Sequence, residues 1–146
     1  MFRGRYVHTI DAKGRLSIPA GFRMELERKS EKAPILTNLL ECLALYPYED
    51  WLALEQKLCQ TSQLQPEVQA FQRFMVSGAV ECPVDRQGRI LVPPYLRGHA
   101  QLEREVTIAG VGPRVELWDK QRFDQDLTRT QARFHEIAGV VAGLDS

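Results

Sequence analysis

The segment DAKGRLSIP, residues 11–19, decides the architecture because it returns as DRQGRILVP, residues 85–93. The correspondence continues outward in the same register, since Arg23 matches Arg97. An internal repeat indicates that a fold is assembled from copies of one supersecondary unit. We therefore expect two turn-centred units, each with the order hairpin, short helix, strand and helix.

The length of the chain favours one joint structure over two separate domains. A protein of 146 residues is large enough to bury roughly two thirds of its unfolded surface. Each half alone would stand near the lower size limit for independent stability. We expect the two units to fold against each other as a pseudo-symmetric pair.

The turn at the centre of each unit has the residues that hairpin loops require. Asp11 can accept a hydrogen bond from the backbone two residues on, and Gly14 can take the left-handed conformation. Asp85 and Gly88 occupy the same places in the second turn. We expect these four residues to have structural roles in the turns.

Alternating and helical patterns predict further elements around the turns. Apolar alternation favours strands on both sides of the first turn, over residues 6–10 and 16–18. The other expected elements are strands within residues 34–45 and 106–118, short helices after Pro19 and Pro93, two linking helices before Gly78, and a longer helix capped by Asp119. Apolar stripes on the longer helices favour core or subunit contacts over a cofactor site.

The charge of the chain is balanced as a whole and basic at its start. The formal net charge is zero, which removes the simplest argument for a nucleic-acid partner. Residues 1–29, however, contain seven Lys or Arg residues against three acidic ones. The basic excess therefore surrounds the first turn.

Other functional classes lack their sequence signatures. The three cysteines form no close pair, which argues against a disulfide framework or a zinc ribbon and fits a reducing cytoplasm. His135 and Glu136 begin like a zinc-protease motif, but its second histidine is replaced by Gly139. No apolar run approaches the roughly 18 to 20 residues that span a bilayer. We expect no enzymatic activity, cofactor, metal or membrane contact.

The repeated turn has residues suited to DNA recognition. A two-stranded ribbon fits the major groove of DNA, where an arginine can make two hydrogen bonds to guanine. Arg15 and Arg89 follow the turns, where they are candidates for this contact, although an arginine beside a polar turn is often only solvated. Neutral Gln87 replaces Lys13 in the second copy, so we expect the first hairpin to be the better contact. The candidate DNA-binding residues are Arg15, Lys13, Arg5, Arg3, Arg89 and Arg86.

Four segments together identify a resemblance to a known family. MFRG at residues 1–4, DAKGRLSIP, LYPYEDW at residues 45–51 and DRQGRILVP resemble the bacterial MraZ family, within the AbrB-like swapped-hairpin class. The resemblance implies an α+β fold in which two tandem SpoVT-AbrB-like repeats form one pseudo-symmetric, intertwined β-barrel with flanking helices. The implied division is repeat 1 at 5–50, linking helices at 51–78, repeat 2 at 79–122 and a C-terminal helix at 123–146.

The same resemblance implies a function. It describes a cytoplasmic, nucleoid-associated regulator that binds double-stranded DNA and represses its own division and cell-wall operon at G-rich direct repeats upstream. The family's D-x-x-x-R pairs fall on Asp11 with Arg15 and on Asp85 with Arg89. Family members resemble one another in forming homo-oligomeric rings, which would add weak single contacts by effective concentration.

Two other functions stay open at the level of sequence. The swapped-hairpin class also contains antitoxins, so an AbrB-like protein-interaction module is the main alternative. Antitoxin tails are usually flexible and charged, whereas this chain has an apolar, helix-periodic segment after Phe123. A metal-dependent nuclease is the weaker alternative, because no nearby acid and lysine complete a site around either turn aspartate.

Overall fold

The computed structural model describes residues 1–60 and 64–144, and within them the chain forms eight strands and six helices. The strands are β1 (Phe2–Thr9), β2 (Arg15–Ser17), β3 (Ile35–Asn38), β4 (Leu43–Tyr46), β5 (Val80–Glu81), β6 (Arg89–Leu91), β7 (Glu105–Gly112) and β8 (Arg114–Asp119). The helices are α1 (Ala20–Lys29), α2 (Tyr48–Gln60), α3 (Pro66–Ser77), α4 (Pro94–Ala100), α5 (Lys120–Ala132) and α6 (Phe134–Leu144). The expected α+β class is confirmed.

The two halves contain the same elements in the same order. The series from β1 to α3 has two strands, a helix, two strands and two helices, and the series from β5 to α6 repeats it. The first strand differs most between the halves, since β1 has eight residues and β5 has two. The internal repeat seen around the turns therefore extends to every element of the fold.

The strands of the two halves interleave in two antiparallel sheets. The larger sheet has the order β1-β7-β8-β4-β3-β5, and the smaller sheet, here called the ribbon, consists of β2 and β6. Every contact of β1, β2, β5 and β6 in these ladders is with a strand of the other half. An approximate two-fold axis passes between β4 and β8 and between β2 and β6.

The predicted hairpin needs a correction because its two arms pair with different strands. The turn joins β1 to β2, but β1 forms its ladder with β7, and β2 forms its ladder with β6. Sequence alternation is satisfied equally by either pairing, because the same side chains face inward in both. Each arm of the first turn therefore pairs with a strand of the second half.

The main core lies between one face of the larger sheet and a layer made by the ribbon, α1 and α4. Leu16 and Ile90 face each other across the ribbon and are buried in this core. Val106 and Ile108 reach it from β7. Strand alternation therefore leaves the neighbours of Leu16 and Ile90 on the outer face of the ribbon.

Helices cover the opposite face of the larger sheet in two smaller clusters. Trp51 of α2 and Met75 of α3 pack on Ile35 and Tyr46. Phe123 of α5 packs in a separate cluster, which contains Cys42, Ala109 and Trp118. This face is called the outer face of the sheet below.

Three helix ends lie where their residues predict, whereas the end of the chain differs from the expectation. Pro66 begins α3, Gly78 follows its last residue, and the Asp119 carboxylate caps α5 by accepting the backbone N–H of Arg122 at 3.1 Å. The single longer helix expected after Asp119 is instead two helices that meet at Arg133. Neither proline nor glycine stands at this break, so no residue signal marks it.

Parts of two predicted segments fall outside this description. Residues 61–63 of the expected linking helices and residues 145–146 of the expected C-terminal helix lie outside the described residues. Among the helices that are described, none has the length and apolar character needed to cross a lipid bilayer.

Candidate nucleic-acid interface

Both turns are closed by an aspartate that accepts backbone hydrogen bonds. Oδ1 of Asp11 accepts the N–H groups of Lys13 at 3.0 Å and Arg15 at 2.8 Å. Gly14 donates its own N–H to the Asp11 carbonyl at 3.0 Å and has a φ of 89°. A positive φ of this kind strongly favours glycine over residues that carry a Cβ.

The second turn repeats this arrangement. Oδ1 of Asp85 accepts the N–H groups of Gln87 at 2.8 Å and Arg89 at 2.9 Å. Gly88 donates to the Asp85 carbonyl at 3.0 Å and has a φ of 77°. The two turns therefore present the arginine that follows each glycine in equivalent positions.

Each turn aspartate also holds the side chain of that arginine. Nε of Arg15 donates to Oδ2 of Asp11 at 2.7 Å, and Nε of Arg89 donates to Oδ2 of Asp85 at the longer distance of 3.4 Å. The terminal nitrogens of both guanidinium groups make no hydrogen bond to the described residues. The Arg15 side chain is 38% exposed and the Arg89 side chain 28%. The Nε edge of each guanidinium group is thus anchored, and the edge that carries the two terminal nitrogens stays available for other contacts.

The same contacts keep the turn carboxylates ionised. The pKa of Asp11 is lowered from its ordinary value, chiefly by the backbone hydrogen bond from Arg15 and further by the Arg15 guanidinium. The pKa of Asp85 is lowered in the same way, chiefly by the backbone hydrogen bond from Arg89. A carboxylate that stays charged near neutral pH can hold its arginine in one orientation.

The outer face of the ribbon brings the two arginines together. Arg15 lies opposite Leu91, and Ser17 lies opposite Arg89, in the β2–β6 ladder. Because Leu16 and Ile90 point into the core, these four side chains share the outward face. Diagonal neighbours in an antiparallel ladder stand about 7–8 Å apart, so the two guanidinium groups arise from neighbouring points on one surface.

Each half supports the turn of the other half through backbone contacts. The Gly14 carbonyl accepts the N–H of Val92 at 2.8 Å, and the Gly88 carbonyl accepts the N–H of Ile18 at 2.9 Å. These two bonds extend the ribbon into both turns. The turns are therefore part of a hydrogen-bonded framework rather than loose loops.

Two further arginines complete this framework, and neither was predicted to have a role. Arg97 donates through Nη1 to the carbonyl of Ala12 at 3.1 Å and through Nε to the carbonyl of Leu102 at 3.0 Å. Arg23 donates through Nε to the carbonyl of Ile18 at 3.0 Å. Arg23 and Arg97 occupy the same position in the two repeats, and this equivalence could have identified them from the sequence.

The remaining candidate residues lie in two places. Lys13 and Arg86 are exposed residues within the turns, beside the arginines of the ribbon. Arg5 is on β1 opposite Ala109, and its guanidinium carbon lies 5.7 Å from the centre of the Phe123 ring. Arg3 shares that side of β1 by alternation. The structure therefore places Arg3 and Arg5 on the outer face of the sheet, away from Arg15.

The described residues do not arrange a metal centre around these turns or elsewhere. Within residues 1–60 and 64–144, no three His, Cys, Asp or Glu side chains are grouped as ligands for a metal ion. Nδ1 of His8 lies 2.6 Å from the Ser17 carbonyl oxygen. It therefore joins β1 to the ribbon.

Comparison with known proteins agrees with this two-unit architecture. The profile of the family described as "MraZ protein, putative antitoxin-like" matches residues 1–74 and again residues 75–139. The "Transcriptional regulator MraZ" of Syntrophobacter fumaroxidans is 43% identical over 142 residues, which cover 97% of this chain and 95% of that protein. The protein of the same name from Thermoanaerobacter sp. is 46% identical over 138 residues and 94% of each chain.

A third relative extends the match to almost every residue. The "Transcriptional regulator MraZ" of Moorella thermoacetica is 44% identical over 145 residues, which cover 99% of both chains. All three relatives are named as regulators and none as an enzyme. The duplicated match, the similarity over nearly the full length and the repeated turns place this chain in the MraZ family.

Proposed function

We propose that the protein is a sequence-specific DNA-binding transcription regulator without enzymatic activity, and that the outer face of the ribbon is its DNA-reading surface. The observation that carries this proposal is the pair of aspartate-held arginines, Arg15 and Arg89, on the outward side of one two-stranded ribbon. A two-stranded ribbon has the dimensions to enter the major groove. The names of the relatives support the same function.

Arg15 and Arg89 are the proposed guanine readers. Bidentate contact with guanine uses two nitrogen donors of one guanidinium group, and the anchoring of Nε leaves both terminal nitrogens for this purpose. Arg15 is the stronger candidate, because its Nε lies 2.7 Å from its aspartate while that of Arg89 lies 3.4 Å from its own. The proposed target is the one that the family resemblance implies, G-rich direct repeats upstream of the protein's own operon.

Other basic residues are proposed to position the protein on the phosphate backbone. Lys13 and Arg86 flank the ribbon in the turns, where contact with a groove would bring them close to phosphates. Arg3 and Arg5 point away from the ribbon and are proposed as weaker, sequence-independent contacts along an adjoining stretch of DNA. The turn residues Asp11, Gly14, Asp85 and Gly88 are proposed to act by holding the arginines.

Assembly is part of the proposal because one protomer has no net positive charge. A homo-oligomeric ring would present several ribbons to successive repeats and multiply weak contacts by effective concentration. The apolar side chains on the surface of α6 support this, since none of its described side chains is buried and Phe134 is 60% exposed. Within each protomer, the larger sheet and the ribbon are proposed to close as one intertwined barrel. A repressor of this kind acts at the nucleoid, in the cytoplasm.

The decisive experiment compares binding to the DNA upstream of the protein's own gene with binding to a scrambled duplex of equal composition. Fluorescence anisotropy at several salt concentrations separates specific from non-specific binding, since non-specific affinity falls steeply with salt. We expect a preference for the upstream duplex that persists at moderate salt. Equal binding to both duplexes, erased by salt, would refute sequence-specific regulation.

A second candidate function is neutralisation of a partner protein, as in antitoxins. The family description contains this comparison, and the apolar surface of α6 could receive a protein segment. A pull-down from lysate with the intact protein, set against a variant with Phe134→Ser and Val141→Ser, tests it. Capture of one stable partner that the variant loses would favour this function, and capture by neither would count against it.

A further inference from the structure

The outer face of the ribbon is asymmetric at the two positions that accompany the arginines. Leu91 stands opposite Arg15, whereas Ser17 stands opposite Arg89. These two partners are equivalent under the approximate two-fold axis, so symmetry would demand the same residue in both places. The chain has an apolar side chain beside one arginine and a hydroxyl beside the other.

Leu91 is exposed by the geometry of its strand. Its neighbours Ile90 and Val92 are each 1% exposed in the core, so alternation points Leu91 outward, where it is 59% exposed. Its side chain rests against the first turn, since a Cβ added to Gly14 would lie 3.7 Å from Cδ1 of Leu91. Leu91 therefore belongs to the second repeat in sequence and to the surface of the first turn in space.

We propose that Leu91 and Arg15 form one composite reading element, which selects a thymine close to the guanine that Arg15 contacts. This inference rests on the proposed function of the ribbon. Among the groups that base pairs present in the major groove, the C5-methyl of thymine is the one suited to an apolar side chain. Strands in a sheet lie about 4.7–4.9 Å apart, and successive base pairs rise by 3.4 Å. The contacted thymine stands within one or two base pairs of the guanine.

Ser17 gives the other half of the ribbon a different character. A serine hydroxyl both donates and accepts hydrogen bonds, so it can approach any base edge without selecting one. The Arg89 side of the ribbon therefore tolerates different neighbours of its guanine. A ribbon that reads its two ends unequally recognises a site with a direction, which agrees with direct rather than inverted repeats.

The test replaces thymine by deoxyuridine within the upstream repeats. This change removes only the C5-methyl group and keeps base pairing. A matched duplex has the same number of replacements outside the repeats. For the intact protein we expect the affinity to fall about three- to fivefold for each contacted thymine, as for the loss of one buried methyl group, and to stay unchanged with the matched duplex.

Two variants assign the effect to a side chain. Leu91→Ala is expected to bind the thymine and deoxyuridine duplexes equally, while Ser17→Ala keeps the discrimination of the unmodified protein. Thermal unfolding of both variants checks that the ribbon is intact, and the exposure of Leu91 makes its truncation tolerable. If Leu91→Ala still discriminates thymine from deoxyuridine, Leu91 is not the reader and the inference fails.

The result also separates this inference from the proposed function. Specific binding of the unmodified protein to upstream DNA, with equal affinity for the deoxyuridine duplex, overturns the role of Leu91 alone. Absence of any preference for upstream over scrambled DNA overturns the proposed function itself, and the inference with it.

Discussion

Arg23 lies directly against Gly88: a Cβ added at residue 88 would stand 2.5 Å from Nη1 of Arg23. Arg23 belongs to the first repeat and Gly88 to the turn of the second. The reciprocal contact joins Arg97 of the second repeat to the Ala12 carbonyl in the first turn, at 3.1 Å. Each candidate DNA-reading turn is thus held by an arginine from the other half, and neither half contains the whole of the candidate surface.

Removal of the Arg15 guanidinium is expected to weaken specific DNA binding most. For Arg15→Ala we expect affinity for the upstream duplex to fall by about 1–3 kcal/mol per site, with little change for scrambled DNA. Arg89→Ala should cost less, because its longer ion pair leaves the side chain less well oriented. Anisotropy titrations measure both, and Arg28→Ala, on α1 away from the ribbon, is the matched control. Unchanged affinity in Arg15→Ala would contradict the guanine contact.

Lys13 is expected to contribute salt-dependent affinity without selectivity. If it contacts one phosphate, Lys13→Ala lowers the slope of log affinity against log salt by about 0.9. The equivalent residue of the second turn is neutral, so Gln87→Ala serves as the control and should leave the slope unchanged. Arg5→Ala, measured in the same series, reports whether the outer face of the sheet approaches DNA. A slope that Lys13→Ala does not alter would place Lys13 outside the interface.

The turn glycines are expected to resist substitution by alanine. A Cβ at residue 14 would stand 2.8 Å from the backbone carbonyl of Val92, which cannot move aside as the Arg23 side chain can at residue 88. Both sites also have a positive φ, which by itself costs about 1–3 kcal/mol for a residue with a Cβ. We expect Gly14→Ala to be the more destabilising of the two.

Urea unfolding followed by tryptophan fluorescence, at one protein concentration, measures these glycine variants. Gly21→Ala is the control, because a Cβ added there meets no atom within 4 Å beyond its chain neighbours and the backbone of its own helix. Gly21 is the second residue of α1, so the substitution should stabilise the helix by less than the roughly 0.5–1 kcal/mol of an interior position. Equal stability of Gly14→Ala and Gly21→Ala would contradict the described turn.

The turn aspartates are expected to make stability depend on pH in acid. The pKa values of Asp11 and Asp85 are both lowered in the folded protein from 3.8. The stabilisation by the two ionised carboxylates is therefore fully present above about pH 3.8. It is lost as the pH falls through the lowered pKa values of the folded protein. The double variant Asp11→Asn, Asp85→Asn should show a shallower loss of stability between about pH 5 and pH 2. The urea midpoint measured across this pH range reports the loss of stability, with Asp126→Asn as the control. If the midpoints of the double variant and of the unmodified protein fall equally with pH, the prediction is contradicted.

The cysteines are expected to divide into one accessible and two protected thiols. Burial raises the pKa of Cys82 to about 12 and also raises the pKa of Cys42, whereas Cys59 is exposed on α2. Near neutral pH the two buried groups are protonated thiols, which are poor nucleophiles. A disulfide reagent should modify one thiol rapidly in the native protein and all three in denaturant. Rapid reaction of three thiols in the native protein would show that the core opens readily.

Local chemistry predicted the turns, the α+β class and the ends of several helices, but not which strands pair. Asp and Gly at fixed spacing indicate a turn wherever they occur, and Pro66, Gly78 and Asp119 mark helix ends by the same local logic. Whether β2 pairs with β1 or with β6 is decided by packing between distant segments, and alternation is the same in both cases. The break at Arg133 had no local signal at all.

For the candidate site too, the sequence indicated which residues are basic but not which face of a strand they occupy. Arg3 and Arg5 were grouped with Arg15 because they share its charge and lie near it in sequence. Tyr6 packs edge-on against Phe22 of α1, which belongs to the main core. Arg3 and Arg5 alternate with Tyr6 along β1, so they face the opposite side of the sheet. Residues two positions apart in a strand share one face. This alternation would have identified Ser17 and Leu91, each two residues after an arginine, as members of the same outward surface.

The interleaved pairing also governs how the chain can be made. β1 begins at Phe2, and its partner β7 ends at Gly112. At about 5–20 residues per second, a ribosome needs roughly 5–20 s to supply that partner after β1 has been synthesised. During this interval the first repeat exposes strand edges and an apolar face that only the second repeat can cover. Incomplete translation products should therefore be substrates for chaperones and proteases rather than partly functional regulators.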